Sequence, residues 1–251
     1  MTTIASSQNP RLKALRRLQT KRGRAQSGRF FAEGEDLIAA AERAGREAVE
    51  GYRLAGTELG PASFHDVEQA ALAAVSTLGS GTRAIGVYEQ RWLTAPAGPL
   101  CVCLHGVGDP GNVGTALRSA AAFGASCVAF GPGCADPHSP KGVRASMGAI
   151  FAVPIARVAD VGELPGERVA LVAGAGEPLS SLSKRLAGAG AISLLVGAER
   201  EGLPPGVLAT CEHVAHIPIA AESLNAAMAA TVALYEMTRG ANAPDLRMRG
   251  S

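Results

Sequence analysis

The 251-residue chain carries a formal net charge of +2 and is 47% hydrophobic, which is enough apolar sequence for one large or two modest domains. No apolar run reaches the roughly 18 residues of a membrane span, and no apolar signal-peptide core begins the sequence, so we expect a cytoplasmic protein without a membrane partner. Five cysteines, an odd number, favour reduced thiols over a disulfide framework.

The first 30 residues are strongly basic. They contain eight basic residues and no acidic one, and Asn9-Pro10 followed by Leu12, Leu15 and Leu18 predicts an amphipathic helix. Such a cluster of cations is typical either of a nucleic-acid-binding segment or of a solvated basic helix. The candidate phosphate contacts are Arg11, Lys13, Arg16, Arg17, Lys21, Arg22, Arg24 and Arg29.

Residues 28 to about 92 predict a small α/β unit. The segment 94–99 holds two prolines and a glycine and predicts a linker. We therefore expect one domain over residues 1–93, the linker at 94–99, and a second domain over residues 100–245. In the first domain the expected elements are a helix at Glu35–Arg43 and strands at Tyr52–Ala55, Ala74–Ser76 and Ala84–Tyr88.

Beyond the linker, short apolar runs alternate with helical stretches. This alternation predicts a parallel sheet with helices on both faces. The strands are expected at Leu100–Leu104, Cys127–Phe130, Phe151–Ile155, Val169–Val172, Ile192–Val196 and Val214–Ile219.

A glycine-rich loop, Gly106–Gly111, lies between a predicted strand and a helix predicted at Asn112–Phe123. Its G-x-G-x-x-G spacing is typical of dinucleotide sites, so an NAD-dependent oxidoreductase is one alternative. Two features argue against that alternative. The first acidic residue after the next strand is Asp136, beyond another turn, and Pro110 lacks the N–H group that a nucleotide phosphate would use.

The segment from Ile217 to Arg239 predicts a ligand site. Ile217-Pro218-Ile219 ends a predicted strand, and Ser223 is expected to cap a helix that runs to Arg239. Open α/β sheets place ligands where a strand's carboxyl end meets a helix N-terminus. The small residues Ala226–Ala230 predict that this helix packs closely against a neighbour.

Three motifs in the second half resemble those of the SpoU (TrmH-type) branch of the SPOUT RNA 2′-O-ribose methyltransferases. They occur in the family's order and at similar spacing, and the resemblance covers Leu100 to about Arg239. Residues 6–10 and 28–34 also resemble the RNA-binding extension of many members. The first motif comprises residues 109–114, Arg118 and residues 122–124. The second is 195–203, and the third comprises 217–219 and 222–225.

The resemblance implies an S-adenosylmethionine-dependent enzyme that methylates a ribose 2′-hydroxyl in structured RNA, with ribosomal RNA favoured over transfer RNA. It implies an α/β fold: a SPOUT-type parallel sheet with a C-terminal trefoil knot, preceded by a small α/β RNA-binding domain. It also implies a homodimer whose active site lies near the subunit interface, and we expect the alanine-rich face of the 224–239 helix to pack against the second copy. The alternatives are a tRNA 2′-O-methyltransferase, an RNA-binding protein without catalysis, and the oxidoreductase.

The resemblance also assigns roles to individual residues. Arg118 either accepts the hydroxyl proton or clamps a phosphate bidentately, and its permanently protonated guanidinium favours the clamp. Asn112, Ser223 and Asn225 have an alternative role as helix caps. The catalytic residues are Arg118, Asn112, Glu199, Ser223 and Asn225. The cofactor contacts are Ala173, Gly174, Gly197, Ile217, Ile219 and Leu224.

Two further groups of residues are candidates for RNA contact and for metal binding. Lys141 and Arg144 lie in a segment that resembles one near the family's RNA face, and the alternative is a solvated helix start. Cys211, His213 and His216 fit no common zinc spacing, so we expect no metal.

Overall fold

The computed structural model describes residues 3–78 and 81–239. Contacts divide the chain into two compact units, one from residues 1–91 and 136–152 and the other from residues 92–135 and 153–251. Residues 240–245, the end of the expected second domain, lie outside the described residues. Within the described ranges, no helix is long and apolar enough to cross a membrane.

The first unit is built on a sheet with strand order β1-β4-β2-β3. β4 runs antiparallel to both β1 and β2, whereas β3 runs parallel to β2. The strands are β1 (Arg29–Glu33), β2 (Glu50–Leu54), β3 (His65–Val67) and β4 (Ala84–Glu89). The helices of this unit are α1 (Pro10–Arg17), α2 (Lys21–Ser27), α3 (Glu35–Arg43), α4 (Gln69–Ala73), α6 (Pro140–Ala145) and α7 (Ala149–Ala152).

The basic N-terminal segment forms the expected amphipathic helix. Asn9 caps α1 by accepting a hydrogen bond from the Arg11 N–H at 2.9 Å, and Pro10 takes the first helical position, where no backbone donor is needed. Leu12 and Leu15 are buried in the core of the unit, together with Leu18 just beyond the helix. The helix is therefore part of the fold, and its cations lie on a structured surface.

One predicted strand of this unit is wrong. Residues 74–76 do not form a strand but end the α4 helix, where the Ala74 and Val75 N–H groups donate to Ala70 and Leu72. The run Ala70–Val75 is apolar, and a short apolar run does not distinguish a strand from a buried helical turn.

The second unit contains the predicted parallel sheet. Its strand order is β7-β6-β5-β10-β8-β11-β9, and every recorded neighbouring pair is parallel. The α/β class with a parallel sheet is thus confirmed. The strands are β5 (Leu100–Leu104), β6 (Cys127–Phe130), β7 (Ile155–Arg157), β8 (Glu167–Leu171), β9 (Glu177–Pro178), β10 (Ile192–Val196) and β11 (His213–His216). The helices are α5 (Pro110–Ala122), α8 (Leu179–Arg185), α9 (Pro205–Leu208) and α10 (Ala226–Thr238), with a 3-10 turn at Val161–Glu163.

Two strands predicted beyond the linker are misplaced. Phe151 lies in α7, and β7 begins only after Pro154, at Ile155. The last strand ends at His216, because Ile217-Pro218-Ile219 belongs to the loop that precedes α10. Proline has no N–H to give to a sheet, which explains why this loop leaves the sheet early.

Helix capping also differs from the expectation. Asn225 caps α10, because its Oδ1 accepts hydrogen bonds from the N–H groups of Ala227 (2.9 Å) and Met228 (3.3 Å), so Ser223 is not the cap. Asp109 caps α5 by accepting from the Asn112 N–H at 3.0 Å. Asn112 is therefore not a cap, and its side chain remains available for other contacts.

Candidate active site

A cavity of about 560 Å³ lies in the second unit, among the loops that follow the carboxyl ends of β8, β10 and β11. Five of the six predicted cofactor contacts line it, namely Ala173, Gly197, Ile217, Ile219 and Leu224. Gly174 follows Ala173 in the same loop but does not line the cavity. Glu199 and Ser223 of the predicted catalytic set also line it.

Gly197 is required by the path of its own loop. A Cβ atom at this position would lie 2.3 Å from the carbonyl carbon of Gly202 and 2.6 Å from the Leu203 nitrogen. The loop folds back on itself through a 2.9 Å hydrogen bond from the Gly202 N–H to the Ala198 carbonyl. Gly202 has φ 65°, a left-handed conformation that glycine adopts without strain. Together these contacts give the loop the shape that forms one wall of the cavity.

The lining combines apolar walls with acidic side chains. Leu171, Val196 and Leu203 contribute apolar surface, and Glu199, Glu201 and Glu222 contribute carboxylates. Arg200 is the one basic side chain among the described lining residues. A site of this composition suits a ligand that has both an apolar body and a positive charge.

Three predicted catalytic residues form a hydrogen-bonded chain. The Asn112 amide Nδ2 donates to Glu199 Oε1, and the Asn225 amide Nδ2 donates to Asn112 Oδ1 at 2.9 Å. The chain joins the starts of α5 and α10 to the loop after β10. It also fixes the orientation of all three side chains, because each amide uses its NH₂ and its oxygen on defined partners.

Arg118 lies on α5 but does not line the cavity. Its side chain is exposed, and within the described part of the chain no hydrogen bond or ion pair engages its guanidinium. The next residue, Ser119, is buried and shares a 2.6 Å hydrogen bond with Thr231 of α10. Arg118 is thus at the surface next to the contact between α5 and α10, free to meet an anion.

The eight basic N-terminal residues do not all remain available for RNA. Arg24 was expected to contact RNA but is only 3% exposed. Its Nε donates to Asp136 at 2.8 Å, and its Nη1 donates to the Leu18 carbonyl at 2.8 Å. This prediction is wrong, because the guanidinium is fully used inside the fold. Lys13, Arg17, Lys21, Arg22 and Arg29 are exposed.

Three other predicted cations have protein partners. Arg11 pairs with Glu50 at 2.5 Å, and Arg16 reaches the Ala74 carbonyl at 3.4 Å. Arg144 is partly buried and donates to Thr77 Oγ1 at 2.8 Å, so it ties its segment to the first unit. Lys141, in the same segment, is exposed.

The cysteine and histidine residues do not assemble a site among residues 3–78 and 81–239. No group of three or more His, Cys, Asp or Glu in this part of the chain has the geometry to hold a metal ion. Burial raises the pKa of Cys103 to about 12 and also raises the pKa of Cys134 and Cys211, so these thiols stay protonated. His213 contacts Glu167 at 2.5 Å, which is a contact between neighbouring strands at the sheet surface.

The acidic character of the cavity is not among the features predicted from the sequence. Glu201 and Glu222 were not among the candidates, although both lie within the quoted motifs. The glycine loop Gly106–Gly111 has a different role from the dinucleotide alternative. It supplies the Asp109 cap and Pro110 of α5 and does not line the cavity.

Comparisons with known proteins identify the family. A profile of the SpoU rRNA Methylase family matches residues 99–235, and a profile of the MRM3-like substrate binding domain matches residues 9–78. An uncharacterised tRNA/rRNA methyltransferase of Synechocystis sp. is 31% identical over 95% of this chain and 94% of its own length.

Two further relatives have more specific names. A 23S rRNA guanosine 2′-O-methyltransferase, RlmP of Bacillus subtilis, is 28% identical over 94% of this chain and 99% of its own. The AdoMet-bound rRNA methyltransferase of Sinorhizobium meliloti superposes with a TM-score of 0.81 at 28% identity, covering 95% of this chain and 97% of that one. The chain belongs to the SpoU rRNA methylase family.

Proposed function

We propose that the protein transfers a methyl group from S-adenosylmethionine to a ribose 2′-hydroxyl of ribosomal RNA. The observation that carries this proposal is the cavity at the carboxyl edge of the sheet, whose wall includes Glu199 of the Glu199–Asn112–Asn225 chain. The names of two relatives, a 23S rRNA 2′-O-methyltransferase and an AdoMet-bound rRNA methyltransferase, support both the reaction and the cofactor.

The cavity fits S-adenosylmethionine in size and in charge. Its volume of about 560 Å³ lies within the usual range for sites of small molecules and cofactors. The cofactor supplies a methyl group on a positively charged sulfonium. Glu199, Glu201 and Glu222 give this part of the unit a negative charge that favours such a cation. We propose that Ala173, Gly197, Ile217, Ile219 and Leu224 hold the cofactor.

The proposed catalytic work of the chain is positioning and charge stabilisation. Arg118 presents a planar guanidinium, which clamps a phosphate of the target nucleotide with two parallel hydrogen bonds and stabilises negative charge developing on the ribose oxygen. The Glu199–Asn112–Asn225 chain fixes the loop after β10 against the starts of α5 and α10 while RNA binds. Ser223 lines the same cavity and offers a hydroxyl to the substrate.

We propose a homodimer in which α10 forms the interface. The alanine face of α10 was expected to pack against a second copy, but Ala226, Ala230 and Ala233 are buried within the protomer. The opposite side exposes an apolar stripe instead, with Met228 60%, Val232 38% and Tyr235 50% exposed. Residues four and three apart lie on one helix face, so this stripe offers a continuous surface to a partner.

The same arrangement gives Arg118 a place in the reaction. Since Arg118 is absent from the lining of its own cavity and lies beside α10, we propose that it serves the cavity of the partner subunit.

We further propose that the C-terminal part forms a trefoil knot. The sheet order β5-β10-β8-β11, in which a late strand lies between two earlier ones, supports this threading.

The first unit is proposed to bind the structured RNA. The match of residues 9–78 to a substrate-binding domain and the exposed cations of α1 and α2 support this role. Ribosomal RNA is the favoured substrate and transfer RNA the alternative. We propose that the protein acts in the cytoplasm.

The proposal is tested with purified protein, tritiated S-adenosylmethionine and unmodified 23S ribosomal RNA transcribed in vitro. We expect tritium in the RNA at a single nucleotide whose phosphodiester bond resists alkaline hydrolysis, because a methylated 2′-oxygen cannot attack the neighbouring phosphate. Transfer RNA transcripts serve as the competing substrate. Incorporation into a base, or into neither RNA, would contradict the proposal.

Gly197→Ala should strongly weaken cofactor binding. The added methyl would overlap the backbone of Gly202 and Leu203, and the loop that forms one cavity wall would have to move. We expect the dissociation constant for S-adenosylmethionine, measured by calorimetry, to rise at least about 30-fold, which corresponds to about 2 kcal/mol. Gly206→Ala is the matched control, because a Cβ there meets no atom within 4 Å. Equal affinity of both variants for the cofactor would exclude this cavity as its site.

The exposed cations of α1 and α2 should set the salt dependence of RNA binding. Changing Lys13, Arg17, Lys21 and Arg22 together to Gln should flatten the log–log salt slope by about 3, since each lost phosphate contact removes about 0.7 to 0.9. These point changes are cleaner than deletion of residues 1–30, which would also remove core leucines of the first unit. The double variant Lys184→Gln, Arg185→Gln, on the second unit, is the control. An unchanged salt slope in the fourfold variant would show that the cations of α1 and α2 are only solvated and do not contact RNA.

A further inference from the structure

Residues 136–152 come from the second half of the chain but pack into the first unit. Asp136 forms an ion pair with the buried guanidinium of Arg24, and Arg144 donates a hydrogen bond to Thr77 at 2.8 Å. The ring of Phe30 lies 4.6 Å from that of His138 and 5.7 Å from that of Phe151, measured between centroids. The segment is therefore an integral and rigid part of the proposed RNA-binding unit.

The network that holds this segment continues to a buried carboxylate. Thr77 donates to Glu33, which is 4% exposed and also accepts from Thr82 at 2.5 Å. Burial opposes ionisation of Glu33, but the hydrogen bonds from Ser76, Thr82 and Thr77 outweigh it and lower its pKa. A charged Glu33 thus holds Ser76, Thr77 and Thr82 in place, and Thr77 in turn accepts the hydrogen bond from Arg144.

Met147 is the one large apolar side chain of this segment that is exposed. Its neighbours Ser146, Gly148 and Ala149 are buried, whereas the Met147 side chain is 57% exposed. Among the described residues, Met147 is the only non-glycine residue with a left-handed backbone, at φ 48°. Gly148 follows at φ 92°, and a Cβ on it would lie 2.4 Å from the Cβ of Ala40. The bend between α6 and α7 is held by packing and directs a single apolar side chain into solvent.

Folding alone does not account for methionine at this position. A side chain in the left-handed region costs stability that glycine would not cost. Hydrophobic burial does not offset this strain, because a side chain that is more than half exposed gains only part of the stabilisation that full burial provides. Strain of this kind is maintained at sites that contact ligands. Met147 is therefore better explained by a partner than by the fold.

We propose that Met147 is a substrate-contact residue that packs on the face of an unpaired nucleobase of the RNA. This inference rests on the proposed RNA methyltransferase function. Base faces stack on exposed flat or polarisable side chains, and methionine sulfur makes favourable contacts with aromatic rings. The exposed Lys141 on the same segment and the exposed cations of α1 and α2 give this unit the charge that attracts a phosphate backbone. RNA is the occupant that matches both features.

Met147→Gly separates stability from substrate recognition. Relief of the left-handed strain should raise the Tm by about 2 to 4 °C. Loss of the side chain should raise KM for 23S ribosomal RNA about 10-fold, the loss expected for one stacked base. kcat at saturating RNA and the dissociation constant for S-adenosylmethionine should stay unchanged. Met147→Leu keeps an apolar side chain and should hold KM within about 3-fold of the wild type.

The control is Val49→Ala, which shortens an exposed apolar side chain of the same unit and should leave KM unchanged. A Met147→Gly enzyme with wild-type KM would overturn the inference while the proposed function stands. A raised KM accompanied by dissociation of the protein in sedimentation would show that Met147 contacts protein, and would overturn it too. A wild-type protein that methylates no RNA would remove the proposed function and this inference together.

Discussion

Arg118→Ala should lower the rate of methyl transfer by a factor of about 1000 while leaving the affinity for S-adenosylmethionine unchanged. The guanidinium has no partner among the described residues and does not line the cavity of its own chain, so its removal leaves the fold and the cofactor site intact. Removal of a group that stabilises developing charge costs about 100- to 1000-fold in rate. Loss of the phosphate clamp adds to that effect.

Two companion variants make the Arg118 experiment specific. Arg118→Lys should also fail, because an ammonium is a point charge and does not reproduce a planar bidentate contact. Arg185→Ala removes an exposed arginine of the same unit that only pairs with Glu177, and it should retain full activity. Single-turnover kinetics measure the rate of methyl transfer, and calorimetry measures the affinity for S-adenosylmethionine. Weak cofactor binding by a folded Arg118→Ala protein would overturn the role assigned to Arg118.

The double variant Val232→Glu, Tyr235→Glu should be monomeric and inactive. Each carboxylate is placed on the exposed apolar stripe of α10, where a partner would bury it at a large desolvation cost. Sedimentation should give twice 25.5 kDa for the wild-type protein and 25.5 kDa for the variant. Leu93→Glu alters a side chain of equal exposure in the same unit, 39% against 38% for Val232, and should stay dimeric.

Mixed dimers test the contribution of each subunit. If Arg118 serves the partner's cavity, inactive Arg118→Ala protein mixed with inactive Gly197→Ala protein should recover activity. In such a dimer the Gly197→Ala subunit supplies an intact Arg118 to the intact cavity of the other subunit. No recovery after confirmed subunit exchange would place Arg118 at the cavity of its own chain. An active monomer would refute the interface itself.

Much of the site was predictable because the motifs are local. Strands such as Leu100–Leu104 and Ile192–Val196 are short apolar runs buried on both faces, and the structure has the predicted bounds. Gly197 and Leu224 were expected at one site because the family resemblance assigns both to the cofactor, and parallel strands carry their following loops to one edge of the sheet. The cavity contains both.

Other features depend on contacts between distant residues, which periodicity does not encode. The burial of Arg24 follows from its pairing with Asp136, a residue more than 100 positions away. The exposed face of α10 was assigned to the wrong side, because an alanine-rich helix with Met228 and Tyr235 has apolar residues on most of its surface. The caps were only partly predictable, because several polar residues near each helix start are chemically suitable. Asn225 was one of the candidates for α10 beside Ser223, whereas Asp109 was not a candidate for α5.

The most direct test of the central claim is a map of 2′-O-methyl groups in ribosomal RNA from cells with and without the gene. The account predicts one nucleotide whose 2′-O-methylation disappears in the deletion strain, returns with the wild-type gene, and does not return with the Arg118→Ala gene. Identical maps from the two strains would contradict it, as would restoration of the lost methyl group by the Arg118→Ala protein.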